Sequence, residues 1–260
     1  MKKKPTLGIY GFTGCAGCQL SLLDCEDELV DLFSAADIKV FYEAMSNNDD
    51  DALVDIALVE GSINTNKQLH ELKEIREKAK VLVAFGSCAN HGCVQAMALG
   101  DGKWEQRFKQ VYGDTKFTVA IPREAQPIHK FVKVDAFIPG CPPSKIQMLR
   151  AITQLLFGNK PTYTNSPVCL ECKFRENECL LNDGKLCLGP LTMGGCTAPC
   201  PTHNTPCIGC WGIIEEANHI AELKLLKEKG FKIEDIIRRF RMFGGSEIVE
   251  KIEKLMEVAK

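Results

Sequence analysis

Between Cys169 and Cys210 the chain places eight cysteines: Cys169, Cys172, Cys179, Cys187, Cys196, Cys200, Cys207 and Cys210. A C-x-x-C pair closes each end of that stretch. Eight thiols are the number that two four-thiolate metal sites require. The surrounding segment, Pro167 to Gly212, is rich in Cys, Gly and Pro, has little periodicity and holds few large apolar residues for a core of its own. A segment of that kind folds around metal. A further C-x-x-C at Cys15 and Cys18, with Cys88 and Cys141 far along the chain, supplies the ligands of a third site. Three such sites on one chain point to electron transfer.

Composition narrows the setting. Of 260 residues, 45% are hydrophobic and 25% charged, and the net charge is −2. That is the balance of a globular protein long enough for two domains or one large one, with no basis for a nucleic-acid partner. The basic start, Met1-Lys2-Lys3-Lys4-Pro5, runs into a strand-like segment. It has neither the apolar stretch of a signal peptide nor a twin-arginine pair, and no run is long and apolar enough to cross a bilayer. The expectation is a cytoplasmic protein without a membrane. In that reducing compartment clustered cysteines argue for metal over disulfides. Disulfide-rich intracellular proteins of hyperthermophiles are the exception, and the Lys- and Glu-rich helices give it weight. It accounts for scattered pairs, not for these clusters.

Up to about residue 160, short apolar runs alternate with amphipathic stretches, the pattern of β-α units on a parallel sheet. The expected strands are Thr6 to Tyr10, Lys39 to Tyr42, Ile56 to Val59, Val81 to Phe85, Thr118 to Ile121 and Ala136 to Ile138. Helices are expected over Gln19 to Phe33, Lys67 to Ala79 and Ser144 to Phe157, the last behind Pro142-Pro143. Gly158 to Ser166 reads as a linker, giving domains of residues 1–160 and 167–260. The tail from Ile213 returns to helical spacing, broken near Gly230 and at Gly244-Gly245; its Phe240, Met242 and Phe243 are read as packing on their own domain. Cys15 and Cys18, Cys88 and Cys141 each follow a strand, and the carboxyl ends of parallel strands share the edge where ligands bind. Three separate stretches thus converge on one site.

Other chemistries compete at each motif. Cys15-Ala16-Gly17-Cys18 alone suits a dithiol redox pair or half a zinc site, which leaves Cys88 and Cys141 idle. Gly8, Gly11 and Gly14 are wrongly spaced for a dinucleotide loop. For the eight-cysteine stretch zinc is the main rival to iron–sulfur clusters; Cys200-Pro201 has the form of a cluster run. Sequential grouping gives Cys169, Cys172, Cys179 and Cys187 to one site, and Cys196, Cys200, Cys207 and Cys210 to the other. Cys25 falls at helical spacing with Cys18, Leu22, Leu29 and Leu32 and reads as core. Cys93 is near the first site but surplus. His203 reads as a loop residue within reach of a sulfur. Glu60 ends a strand on the ligand-bearing edge, placed for proton movement, for orienting a partner loop, or for capping a helix.

Taken in order, Gly14-Cys15-Ala16-Gly17-Cys18, Val59-Glu60-Gly61-Ser62-Ile63, Gly86-Ser87-Cys88-Ala89 and Pro139-Gly140-Cys141-Pro142-Pro143 resemble the small, electron-transferring subunit of nickel–iron hydrogenases. The resemblance spans nearly the whole chain. It implies an α/β fold: a flavodoxin-like parallel-sheet domain, then a small irregular iron–sulfur domain with C-terminal helices. It also implies three 4Fe-4S clusters: proximal on Cys15, Cys18, Cys88 and Cys141, medial on the Cys196 group, distal on the Cys169 group. Cys169 stands where membrane-associated members have a histidine, and Cys200 adds a fourth medial thiolate; with no leader expected, this resembles the cytoplasmic delta subunits of archaeal sulfhydrogenases. Gly14 stands where many relatives carry a glutamate, so their proton route does not carry over. The implied partners are a large (alpha) subunit with a nickel–iron centre, and flavin/NADP-binding and ferredoxin-like subunits carrying FAD and NADP, in a heterotetramer. The alternative is an iron–sulfur component of a non-hydrogenase reductase, and beyond that a zinc scaffold.

Overall fold

A computed structural model describes residues 4–96, 103–115, 122–215 and 217–243. Contacts divide the chain into two units, Met1–Thr162 and Tyr163–Lys260.

In the first unit, strands β1 (Thr6–Gly11), β2 (Asp37–Phe41), β3 (Val54–Glu60), β5 (Ala79–Phe85) and β7 (Ala136–Ile138) form a five-stranded sheet in the order β2-β1-β3-β5-β7. Every pairing is parallel. Counting these five alone, the order is the flavodoxin-like one, with its ligand edge at the strands' carboxyl ends. The strands read as unbroken apolar runs because both faces are covered. Alternate residues enter separate cores: Ile56, Leu58, Val83 and Phe85 on one face, Ala57, Val59, Leu82 and Ala84 on the other. Helix α3 (Asn66–Lys78) starts where Thr65 accepts a hydrogen bond from the Gln68 amide, a side-chain N-cap. Helix α6 (Lys145–Leu156) buries Met148, Ala151, Ile152 and Leu155, the stripe of a helix lying on a sheet.

One expectation changes, and another falls outside the described residues. The single helix over Gln19 to Phe33 is two, α1 (Gly17–Leu23) and α2 (Glu26–Ala35). At the break the Cys25 amide turns back to Leu22 O at 3.2 Å, and Glu26, Asp27 and Glu28 start a new helix, where its dipole favours acids. Cys25 itself is fully buried in the core. The strand expected at Thr118 to Ile121 lies outside the described residues; the adjoining strand β6 (Pro122–Gln126) pairs antiparallel with β4 (Ile63–Thr65) away from the main sheet. Two further helices, α4 (Gly86–His91) and α5 (Trp104–Tyr112), come after β5.

The second unit contains α7 (Val168–Phe174), α8 (Pro199–Thr202), α9 (His219–Glu228) and a helical stretch at 233–243. Isolated bridges tie Pro167 to Met193 and Thr192 to Ile213. In keeping with a cysteine segment too poor in large apolar residues for its own core, Leu223, Leu226, Ile236 and Phe240 from the tail join Val168, Leu188 and Leu191 in one apolar cluster. The tail supplies the volume that the cysteine segment lacks. The break expected at Gly244-Gly245 lies outside the described residues.

Candidate metal centres

All fourteen cysteines are free thiols. At the first site three loops leave the carboxyl edge of the sheet. The β1 loop is pinned by a bridge between Thr13 and Ser62 and by Gln95, whose amide donates to Thr13 O at 2.7 Å. Cys15 is exposed on it, and Cys18 is buried in the first turn of α1. Glu60, 2% exposed at the end of β3, accepts hydrogen bonds from the Cys18 amide (3.1 Å), the Gln19 amide (3.2 Å) and the Gln19 side chain (3.0 Å). Of the roles open to it, Glu60 therefore takes the capping one, satisfying the free N–H groups of α1.

Cys88 lies on α4 and Cys141 just beyond β7, and the two loops are tied together. Ser87 donates its amide to Gly140 O at 2.9 Å, and Asn90 Nδ2 donates to Gly86 O at 2.9 Å and Ile138 O at 3.2 Å. Gly86 has φ +81°, and a Cβ there would meet Cys18 Sγ at 2.2 Å. A missing side chain on one loop thus makes room for a sulfur on another. Cys18 lies within electrostatic reach of Cys88 and Cys141. Cys93, 2% exposed, is hydrogen-bonded to both Cys88 and Cys141, so the cysteine that spacing left surplus is a fifth thiol at this site.

The thiols are not equivalent. Burial, then the Glu60 carboxylate, pushes Cys18 far up. The bond from Cys93 brings Cys141 down to about 7, and it lowers Cys88 against the opposing pull of burial. Cys93 is driven up by the same two bonds and by burial, and stays the proton donor. Two thiols biased toward the thiolate, beside the buried Cys18 and Glu60, make an electron-rich cup suited to a cationic group.

In the second unit Cys169 and Cys172 lie one turn apart on α7. Cys187 accepts the Cys207 amide at 3.2 Å and lies within electrostatic reach of Cys169, Cys172 and Cys179. A Cβ at Gly189 would stand 3.1 Å from Cys169 Sγ and 3.6 Å from Cys187 Sγ. Asn177 Nδ2 approaches Cys172 Sγ at 3.7 Å. Glu171 anchors the other turn, accepting from the Gly195 amide at 2.7 Å and the Cys196 thiol at 3.9 Å; Cys200 lies further on, in α8. Cys207 is buried within reach of both Cys187 and Cys196, and Cys210 closes the same turn, partly buried. Burial raises Cys169 and Cys207 to about 12 and Cys196 to about 11. These thiols ionise only with a positive partner. The Gly189, Gly209 and Ala198 amides, aimed at Cys187, Cys207 and Cys196, favour the anions.

Sequence reasoning missed Gly86's steric role, Asn90, Glu171 and Asn177. His203 ends α8 as its C-cap residue. Among the described residues no group of three or more His, Cys, Asp or Glu side chains is arranged to hold a single metal ion, and no helix is long and apolar enough to cross a membrane.

The family model of the NADH ubiquinone oxidoreductase 20 Kd subunit matches residues 15–155, a span that holds all five thiols of the first site and none of the eight in the second unit. Sulfhydrogenase 2 subunit delta of Pyrococcus furiosus is 37% identical over 239 residues, 92% of this chain and 98% of the relative. A vhu subunit of the F420-non-reducing hydrogenase of Methanocaldococcus jannaschii is 34% identical over 235 residues, 79% of this chain and 81% of the relative. A chain of the NAD+-reducing nickel–iron hydrogenase in its H2-reduced state matches with a TM-score of 0.56 at 26% identity, over 62% of this chain and 96% of that one. With its thiol-bearing loops on the carboxyl edge of a flavodoxin-like sheet, this chain belongs to the family of the NADH ubiquinone oxidoreductase 20 Kd subunit, and its likeness there is to the small subunits of nickel–iron hydrogenases.

Proposed function

We propose that this chain is the electron-relay subunit of a sulfhydrogenase-type nickel–iron hydrogenase. The observation that carries the reading is the meeting of Cys18, Cys88 and Cys141 at one sheet edge, where Gly86 leaves room for the Cys18 sulfur. Cys15, Cys18, Cys88 and Cys141 would hold the proximal 4Fe-4S cluster in residues 1–160. In residues 167–260, Cys196, Cys200, Cys207 and Cys210 would hold the medial one, and Cys169, Cys172, Cys179 and Cys187 the distal one. When bound, these clusters take up and release single electrons, linking a nickel–iron centre on the large subunit to a flavin- and NADP-binding partner.

The fit rests on the donor set and its surroundings. Each site offers four thiols. Glycine stands against sulfur at Gly86 and Gly189, and backbone amides point at Cys187, Cys196 and Cys207. The chain's own contribution is to exclude water from Cys18, Cys187 and Cys207 and to direct N–H groups at sulfur, the two means by which a protein sets a potential. The name of the Pyrococcus furiosus relative, aligned over almost the full length of both chains, supports the sulfhydrogenase assignment; a cytoplasmic heterotetramer and NADP as acceptor belong to the proposal. Anaerobic purification tests the reading. About twelve iron atoms per chain, a co-purifying nickel-bearing subunit and hydrogen-dependent dye reduction are expected. A colourless protein holding zinc refutes it, and iron without a nickel partner points instead to a non-hydrogenase reductase.

A further inference from the structure

Helix α9 carries a carboxyl group into the core of the second unit. Glu222 is 4% exposed and shares the buried face of α9 with His219, Leu223 and Leu226. Its Oε1 has no hydrogen-bond partner among the described residues, although a buried polar atom without one is unfavourable. Glu222 is not the cap of its helix: Asn218 is, accepting from the Ala221 amide at 3.0 Å. Leu223 and Leu226 pack in the cluster that contains Cys187 and Cys207. Through space, without a hydrogen bond, the Glu222 charge acts on Cys169 and opposes its ionisation.

That arrangement has a redox consequence. A carboxylate that disfavours negative charge at Cys169 also disfavours an added electron on a centre bound there, and linkage makes the effect reciprocal: the added electron favours a proton on the carboxylate. We propose that Glu222 is the proton acceptor coupled to electron uptake at the Cys169, Cys172, Cys179 and Cys187 centre. One electron arrives through the relay, or from dithionite in the assay, as one proton from water binds the Glu222 carboxylate; both leave on reoxidation. The inference rests on the reading of that cysteine group as a cluster site.

The surroundings leave the carboxyl free to respond. His219 lies one turn back on its own helix, Cys169 on α7 lies within electrostatic reach, and Cys187 and Cys207 belong to the adjoining cluster. From the 233–243 helix come apolar Ile236 and Phe240, while Arg239 on that helix donates to Pro206 O at 3.4 Å. Burial raises Glu222 to about 7. An added electron on the centre moves its ionisation higher still. Between the two limits reduction takes up a proton, so the potential falls as pH rises.

The test is an electron-paramagnetic-resonance redox titration of the whole purified complex from about pH 6 to pH 9. The distal potential is expected to fall above about pH 7 by up to about 59 mV per unit, a tenfold change in a one-electron equilibrium, and Glu222→Gln should abolish the slope. A pH-independent wild-type distal potential overturns the proposal alone, as does a slope that survives in Glu222→Gln. The wild-type slope decides the matter even where the variant folds poorly, and a purely structural Glu222 would shift melting and leave the slope intact. Absence of any cluster signal from the second unit overturns both this proposal and the relay reading beneath it.

Discussion

Gly86→Ala isolates the steric logic of the first site. Its φ of +81° places an L-residue in a left-handed conformation, at about 1–2 kcal/mol. The added Cβ would stand 2.2 Å from Cys18 Sγ, where ordinary contact begins at 3.4 Å. The sulfur would have to retreat by more than about 1 Å, twice the roughly 0.5 Å within which a binding constellation must be held. The backbone cannot yield easily, since Ser87 donates to Gly140 O and Asn90 to Gly86 O. Gly158→Ala is the matched control: φ is +80° there, with nothing within 4 Å among the described residues. Both variants should melt a few degrees lower. Gly86→Ala alone should lose about four of about twelve iron atoms per chain, with the proximal spectroscopic signal gone and the second unit's signals kept. A Gly86→Ala protein with its full iron content would refute the steric reasoning. Equal iron loss in both variants would assign the effect to backbone strain instead.

Two further outcomes are expected from bonds in the first unit. Asn90→Ala removes donors to Gly86 O and Ile138 O, so urea unfolding of the metal-free protein should show a loss of roughly 1–3 kcal/mol; an unchanged midpoint would mean that the two loops are held by other contacts. Asp135 is raised by burial, but the Leu82 amide at 2.9 Å and Arg76 at 2.5 Å outweigh it and hold the carboxyl below its usual range. A lowered folded-state value contributes stability above the unfolded value, about 3.9, and loses it as pH falls through the folded one. Asp135→Asn should therefore be destabilised by roughly 1–3 kcal/mol at pH 7, and the gap to wild type should close below about pH 4. A gap independent of pH would exclude the charge as its source.

The parts of the fold legible in the sequence are those set by local pattern. Ile56 to Val59 and Val81 to Phe85 read as parallel strands because burial on two faces removes the alternation that one-sided strands show, and the structure extends them by three and two residues, to Val54–Glu60 and Ala79–Phe85. The break at Cys25 was hidden because Cys18, Leu22, Cys25, Leu29 and Leu32 keep helical spacing across it; the acids at Glu26 to Glu28 were the available sign of a second start. Cysteines announce themselves by residue type and loop position. The groups around them do not. Glu222 sits in Ala221-Glu222-Leu223-Lys224 like any amphipathic-helix residue, and its burial comes from packing that no local pattern encodes. Asn90 acts on Ile138 across 48 residues, and Gly86 owes its meaning to a sulfur 68 positions earlier in the chain.

The two units relate their thiols to their cores in different ways, and this explains why one was easier to read. In the first, Cys15, Cys88 and Cys141 lie outside both apolar clusters, and Cys18 alone of the four ligand candidates is a core member. The sheet is built by Leu7, Ile9, Leu58 and Phe85 whether or not the loops bind anything, so periodicity reveals it. In the second, Cys187 and Cys207 are core residues in their own right, packed with Leu188, Leu226 and Phe240. Burial there raises Cys207 to about 12, so the residues that complete the core resist ionisation until a cationic group is present. On the proposed reading, folding and metal binding would be separable in the first unit and joined in the second. A segment that defers part of its cohesion to a metal carries no hydrophobic period, and the apolar half of its core has to come from elsewhere, here from α9 and the 233–243 helix.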